Sequence, residues 1–169
     1  LQQIAGRCVK YKLKMRPVTI KRLSDDGKPE EKEIEEQTQD FDITVRTGEN
    51  VYENVYTFVH EPQLWSEYTP VVYRFRMEIE GWTVCEVETG LREFEARDHY
   101  FYINGNRTML RGKHDALLFP IEGAVPASVE EWLKVMGIAK EYGVNHYRFH
   151  TCCPPDAAFE AADLLGIYM

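Results

Sequence analysis

Histidine and cysteine side chains concentrate in the stretch NHYRFHTCC near the end of the chain. Within it, His146, Arg148 and His150 alternate, and Cys152 and Cys153 follow directly. Imidazole and guanidinium groups can hydrogen-bond hydroxyl or carboxylate groups, while imidazole and thiolate together can bind a metal ion. The stretch therefore indicates either a polar ligand site or a metal centre.

A zinc centre is the less favoured interpretation of this cluster. Tetrahedral zinc usually takes one ligand pair about two to four residues apart and a second pair elsewhere in the chain. His150, Cys152 and Cys153 have no matching C-x-x-C or H-x-x-x-H partner in the sequence. We therefore predict no metal ion, no cofactor and free thiols, with a bridge between Cys8 and Cys85 as the open alternative.

The composition excludes several classes of protein. The 169 residues are 44% hydrophobic and 28% charged, which is typical of a globular protein with a core. The formal net charge of −8 argues against nucleic acid as a partner, since nucleic-acid binders concentrate positive charge. No continuous apolar stretch is as long as the about 20 residues that a membrane-spanning helix needs, and the N-terminus lacks the pattern of a signal peptide. Because the chain opens on Leu1, we expect a piece of a longer polypeptide whose targeting signal lies elsewhere.

The chain up to about residue 110 follows the two-residue period of half-buried antiparallel strands. In KYKLKM, for example, Tyr11, Leu13 and Met15 alternate with lysines. The other strand-like runs are DFDITVR, ENVYTFVH, VVYRFRMEIE and GWTVCEVE. About seven short strands over about 90 residues predict an immunoglobulin-like β-sandwich. Near its end, Asn104-Gly105 predicts a type I′ hairpin.

After Arg111 the pattern changes to alternating strands and helices. Ser128 and Glu131 form an S-x-x-E capping box ahead of VEEWLKVMGIAKEYG, which predicts a helix that stops at Gly143. A second helix is predicted in PPDAAFEAADLLG, and the strand-like runs TMLRGKH, HYRFH and IYM flank the helices. This order predicts a parallel sheet covered by helices. Three strands are too few for a closed (β/α)8 barrel of about 250 residues, so a barrel here would be incomplete.

Four motifs carry a resemblance to a known family. They are LWSEYTPVVYRFRMEI, ETGLREFE, YFYINGNRTMLRGKHD and AKEYGVNHYRFH, in this order. From about Arg7 to its last residue, the chain resembles glycoside hydrolase family 2, which includes β-galactosidases, β-glucuronidases and β-mannosidases. The resemblance implies a mainly β chain, with an immunoglobulin-like β-sandwich over residues 1–99 and the N-terminal part of a (β/α)8 catalytic barrel over residues 100–169.

The resemblance implies a fragment of a retaining, exo-acting β-glycosidase, similar to β-galactosidases, that hydrolyses O-glycosidic bonds. Such hydrolysis needs an acid/base and a nucleophile, and in this family both are glutamates on later barrel strands, the acid/base following an asparagine. The sequence contains no Asn-Glu dipeptide. We therefore expect both catalytic residues beyond Met169 and no activity in the fragment itself.

Sugar-binding residues are expected at the C-terminal ends of the predicted barrel strands, because that is where ligands bind in barrels. After the first strand these are Lys113, His114 and Asp115, where the family's β-galactosidases usually carry Asn-Arg-His-Glu. After the second strand these are Arg148, His150 and Thr151. The resemblance implies that Arg148 orients the nucleophile and that His150 bonds a ring hydroxyl. A structural ion pair is the open alternative for Arg148.

A second interpretation is a complete, non-catalytic protein that binds a carbohydrate or another subunit. In it, aromatic side chains such as Trp65, Trp82, Tyr56 and Phe58 would form a stacking platform, although their alternation favours core packing. The first interpretation predicts a carbohydrate substrate as the partner, the second a carbohydrate or another subunit, and the open sheet leaves homo-oligomerisation available. An extracytoplasmic location follows only by analogy with polysaccharide-degrading relatives.

Overall fold

A computed structural model of the chain describes residues 8–169. Residues 1–7, with which the predicted sandwich begins, lie outside the described residues. The described residues divide into two compact units. Unit 1 comprises residues 8–20, Lys32–Pro62 and Tyr73–Thr89, and unit 2 comprises Lys21–Glu31, Gln63–Val72 and Gly90–Met169. The boundary predicted between residues 99 and 100 stays a prediction.

Most of unit 1 is a sheet, which has five strands in the described part of the chain. The strands are β1 (Val9–Leu23), β2 (Pro29–Glu33), β3 (Gln39–Val45), β4 (Val72–Ile79) and β5 (Trp82–Thr89). Their order is β2-β1-β4-β5, and β3 also pairs with β1. The β1–β3 and β4–β5 pairs are antiparallel, as the two-residue alternation predicts.

The prediction of a strand in ENVYTFVH is wrong, because residues 53–60 form no strand. The rings of Tyr56 and Phe58 pack edge-on against Phe75 of β4, with ring centroids 5.7 and 6.0 Å apart. The side-chain amide of Gln39 accepts from the Thr57 backbone N–H at 3.1 Å and donates to the Thr57 carbonyl. The segment therefore lies against the sheet by its aromatic rings, and the Gln39 side chain satisfies the backbone of Thr57 in place of a neighbouring strand.

Unit 2 contains an antiparallel meander of β6 (Phe94–Arg97), β7 (Tyr100–Ile103) and β8 (Asn106–Thr108). The predicted Asn104-Gly105 hairpin is confirmed, because φ is 49° and 74° at these residues, as a type I′ turn requires. The Asn104 side chain accepts from the Glu93 N–H at 2.9 Å and donates to the Trp65 carbonyl at 3.0 Å. These bonds anchor the turn to the rest of the unit.

The alternation of strands and helices predicted after Arg111 is confirmed up to its last strand. The elements are β9 (Gly112–Asp115), α1 (Val129–Glu141), β10 (His146–Phe149) and α2 (Asp156–Leu165). β9 and β10 are parallel, with Gly112 opposite His146. In place of a third strand, Tyr168 makes a single parallel bridge to His146, and its carbonyl accepts from the Tyr147 N–H at 2.8 Å.

Both helices begin and end as their sequences predict. Ser128 Oγ accepts from the Glu131 N–H, and the Glu131 carboxylate accepts from the Ser128 N–H, which completes the capping box of α1. α2 follows Pro155 and ends at Gly166 in the left-handed conformation. The helices and β10 share a buried core of Trp132, Met136, Tyr147, Ala158, Ala161, Ala162 and Ile167. Within residues 8–169, neither helix has the length and apolar character of a membrane span.

A buried carboxylate joins the starts of β9 and β10. Glu67 is 8% exposed and accepts from Arg111 Nη2 at 2.8 Å and from Asn145 Nδ2 at 3.1 Å. Asn145, also buried, accepts from the Arg111 backbone N–H at 2.7 Å and donates to the Met109 carbonyl at 3.0 Å. Because Arg111 precedes β9 and Asn145 precedes β10, this cluster holds the two strands at their N-terminal ends.

Candidate functional site

Side chains of β9 and β10 alternate between a face packed on the helices and an open face. Tyr147 belongs to the helix core, and Phe149 packs against it. In the parallel register His114 lies opposite Arg148, and side chains opposite each other share a face of a sheet. His114 and Arg148 are therefore on the open face, where both are exposed.

The open face ends in a polar cluster of His114, Arg148 and His150. The rings of His114 and His150 meet edge to face, with centroids 5.0 Å apart. The His150 N–H donates to the Asp115 carbonyl at 2.8 Å, which continues the parallel pairing past the end of β10. These three predicted site residues are thus brought together at the C-terminal ends of the two strands.

Lys113 and Asp115, two other predicted site residues, lie on the packed face. Lys113 Nζ is 2.8 Å from Asp115 Oδ2 and 5.1 Å from the centroid of the Tyr147 ring. The other carboxylate oxygen of buried Asp115 accepts from the Leu117 N–H at 2.8 Å, which shapes the chain just after β9. Both side chains therefore make contacts within the protein, and a substrate role for them stays a prediction.

Burial and ion pairing set the protonation of the groups around these strands. Burial lowers the pKa of Lys113. The hydrogen bond to Asp115 and the negative charge of Asp115 raise it by more, so that the pKa of Lys113 lies above its ordinary value. Burial raises the pKa of Tyr147, against the lowering effect of the Lys113 charge. On the open face, burial lowers the pKa of His146 at the start of β10. At neutral pH the site therefore combines a charged Lys113 with a neutral Tyr147 and a His146 whose neutral form is favoured.

The four cysteines of the chain make no bridge. Cys8, Cys85, Cys152 and Cys153 are free thiols, so the alternative bridge between Cys8 and Cys85 is not formed. Among residues 8–169, no group of three or more His, Cys, Asp or Glu side chains could hold a metal ion. The described geometry of His150, Cys152 and Cys153 thus offers no centre of the zinc type.

Two features beside the cluster were missed from the sequence. Thr151, directly after His150, has a φ of 59°, a conformation that no sequence signal indicates at a threonine. A cleft of about 270 Å³ beside His114 is lined by Lys113, His114, Asp115, Ala116 and Leu118. Leu118 lies in the connection from β9 to α1 and is 81% exposed. The apolar run ALLFP could have indicated an apolar border to the site.

Comparison with curated proteins finds similarity over about two thirds of the chain. A protein of Formosa agariphila, provisionally named a β-glucuronidase, is 30% identical over 114 residues, which are 64% of this chain and 14% of that protein. The β-galactosidase of Staphylococcus xylosus is 27% identical over 111 residues, 66% of this chain and 11% of that protein. The chain thus spans 14% or less of the length of these relatives. No family model matches the chain.

Solved structures resemble nearly the whole chain. A β-glucuronidase of Bacteroides uniformis superposes with a TM-score of 0.63 at 26% identity, covering 96% of this chain and 19% of that one. A family 2 glycosyl hydrolase of Bacteroides cellulosilyticus gives a TM-score of 0.62 at 19% identity, covering 95% of this chain and 20% of that one. At this identity the match shows a similar fold alone. These relatives are all glycoside hydrolases. The resemblance to glycoside hydrolase family 2 that the motifs predicted is confirmed.

Proposed function

We propose that the chain is part of a retaining, exo-acting β-glycosidase, to which it contributes the floor of the sugar pocket. The observation that carries this proposal is the open face of β9 and β10, where His114, Arg148 and His150 meet at the C-terminal ends of parallel strands. Substrates of barrel enzymes bind at this end of the strands. The resemblance of the chain to glycoside hydrolase family 2 supports the same function.

In this proposal residues 1–99 form an immunoglobulin-like sandwich and residues 100–169 begin a (β/α)8 barrel. The strand-helix-strand-helix order, the parallel pairing of β9 with β10 and the parallel bridge of Tyr168 to His146 support the barrel. The open face of the strands would then line the barrel interior, and the helix-packed face would lie outside it.

The proposed roles follow from the chemistry of each side chain. His114 and His150 hydrogen-bond sugar hydroxyls, and the Arg148 guanidinium orients the carboxylate nucleophile through paired N–H donors. Lys113, whose side chain is 42% exposed, borders the pocket together with its ion-pair partner Asp115. Retaining hydrolysis needs two carboxyl groups about 5 to 5.5 Å apart, and the rest of the barrel supplies them in this proposal.

The proposed substrate is a terminal β-linked sugar. The motif resemblance suggests a β-galactoside, whereas the Formosa agariphila and Bacteroides uniformis relatives are named β-glucuronidases. The chain carries Lys113-His114-Asp115 where β-galactosidases usually carry Asn-Arg-His-Glu, so both β-galactosides and β-glucuronides must be compared as substrates.

The test compares the native polypeptide from the source organism with the 169-residue chain on aryl β-galactosides, β-glucuronides and β-mannosides. We expect the native polypeptide to have a mass several times 19.8 kDa. It should hydrolyse one of these substrates with retention of the anomeric configuration, and the 169-residue chain should hydrolyse none. In the native polypeptide, Arg148→Lys should lower kcat/KM by about 100-fold, the effect of misplacing a reacting group. Arg97→Lys, on the exposed meander, is the matched control and should leave kcat/KM unchanged.

Two results would overturn this proposal. The first is turnover by the 169-residue chain alone that disappears when one of its own acidic residues is changed. The second is a native polypeptide that hydrolyses none of these substrates.

A carbohydrate-binding or assembly module without catalysis is the second candidate. Trp82 favours it, because its side chain is 78% exposed at the turn between β4 and β5, where an indole can stack on a sugar ring. Binding of the 169-residue chain on a glycan array, lost in Trp82→Ala and kept in His150→Asn, would support this candidate over the glycosidase.

A further inference from the structure

Thr151 has a backbone conformation that is rare for its residue type. Its φ of 59° lies in the left-handed region, where a side chain branched at Cβ crowds the backbone. Thr151 directly follows His150, at the point where the chain leaves β10 for the loop that leads to α2. Conformations of this kind persist where the surrounding structure holds them, and they concentrate at functional sites.

The hydroxyl of Thr151 contacts His150 at two atoms. It donates its proton to the His150 carbonyl, with the oxygens 2.7 Å apart. The same hydroxyl oxygen is 3.3 Å from His150 Nδ1. Because a hydroxyl has one proton, which the carbonyl takes, the oxygen can only accept at Nδ1. The contact is therefore a hydrogen bond when Nδ1 carries the imidazole proton.

Two further contacts hold His150 in place. Its N–H donates to the Asp115 carbonyl at 2.8 Å, which fixes its backbone beside the end of β9. Its ring meets the His114 ring edge to face at 5.0 Å. With Nδ1 turned toward Thr151, Nε2 is the ring nitrogen available to a ligand on the open face.

We propose that Thr151 is a positioning residue that holds His150 in the Nδ1–H tautomer, so that Nε2 presents a lone pair to the substrate. The hydrogen bond made by one imidazole nitrogen decides which nitrogen carries the proton. Histidine free in water prefers the Nε2–H tautomer, so Thr151 reverses the ordinary preference. His150 then accepts a hydrogen bond from a sugar hydroxyl. That choice of ligand rests on the proposed glycosidase function, whereas the tautomer does not.

The test is nitrogen-15 NMR of the histidine rings in the labelled 169-residue chain at about pH 8, above the ordinary histidine pKa of about 6.5. His150→Gln identifies the His150 signals. We expect the Nδ1–H tautomer in the unchanged chain and a shift of the tautomer ratio toward Nε2–H by about fivefold in Thr151→Val, which matches the net strength of one hydrogen bond. Thr151→Ser retains the hydroxyl and should restore the original ratio.

The matched control is Thr108→Val on β8, where the lost hydroxyl bonds the Asn106 carbonyl and the His150 signals should not move. An Nε2–H tautomer in the unchanged chain, or the same ratio in Thr151→Val, would overturn the proposal. Should Thr151→Val alter the amide spectrum of the fold, the tautomer of the unchanged chain and the same comparison in Thr151→Ala, which also lacks the hydroxyl, decide the proposal. Failure of the native polypeptide to hydrolyse glycosides would instead contradict the proposed function and leave the tautomer in place.

Discussion

The position of each polar side chain on β9 and β10 decides what it can bind. Arg148 and His150 are two residues apart and so share a face, while the parallel register adds His114 to them. Lys113 and Asp115 are also two residues apart, but they lie on the other face and neutralise each other there. The open face therefore keeps hydrogen-bonding groups for a ligand, and the packed face keeps an ion pair.

Replacing Thr151 by glycine should relieve backbone strain. The left-handed conformation costs a non-glycine residue about 1–2 kcal/mol, and the greater freedom of glycine in the unfolded chain offsets about 0.5–1 kcal/mol of the relief. Thr151→Gly and Thr151→Ala both remove the hydroxyl, so we expect the glycine variant to have the higher free energy of unfolding in urea by about 0.5–1 kcal/mol. Inside strand β8 the order should be reversed, with Thr108→Gly below Thr108→Ala. Equal values for the two Thr151 variants would mean that Thr151 is unstrained.

The two helices end at glycines that differ in their surroundings. Gly143 follows α1 with a φ of 84°, and a Cβ added there would meet no atom within 4 Å. Gly166 ends α2 with a φ of 72°, but a Cβ would lie 2.8 Å from the Glu67 Cα and 2.9 Å from the Ser66 carbonyl oxygen. Gly143 thus serves only the left-handed turn, whereas Gly166 also lets α2 end against the chain around Glu67.

This difference predicts unequal costs for the same substitution. Gly143→Ala should lower the free energy of unfolding by about 1 kcal/mol, the cost of the left-handed conformation. Gly166→Ala adds the displacement of packed backbone and should cost about 2–4 kcal/mol in total. Urea unfolding of the two variants under identical conditions measures both values. Equal losses would show that the backbone at Ser66 and Glu67 moves aside without cost.

The surface of the molecule carries exposed apolar side chains next to an unpaired strand edge. Leu118 and Ile121, in the connection from β9 to α1, are 81% and 91% exposed. Within the described residues β9 pairs only with β10, so its other edge is open. Open edges and apolar surface both favour association.

We therefore expect the 169-residue chain to self-associate despite its net charge of −8. Light scattering should give an average mass that rises with concentration, and the double change Leu118→Lys with Ile121→Lys should reduce this rise. Tyr142→Lys, an equally exposed position at the end of α1, is the control and should not reduce it. A strict monomer at every concentration would contradict this expectation.

The sequence by itself determined most elements of this protein and its resemblance to a known family. The alternation in KYKLKM, the capping box at Ser128 and Glu131, and the Asn104-Gly105 turn each specify their structure through neighbours a few residues away. Local signals of this kind can be recognised from a single amino-acid sequence. The spacing of Arg148 and His150 in a predicted strand likewise placed them on one face.

Only the tertiary structure decided the rest, because it depends on contacts between residues far apart in the chain. ENVYTFVH has the pattern of a strand, yet its rings pack on β4 while Gln39 satisfies the backbone at Thr57. The facing of Lys113 and Asp115 toward the helices follows from the pairing of β9 with β10 and from the packing of α1 and α2. The left-handed φ of Thr151 occurs directly after the backbone bond that holds the end of β10 beside β9, and it runs against the local preference of a branched side chain.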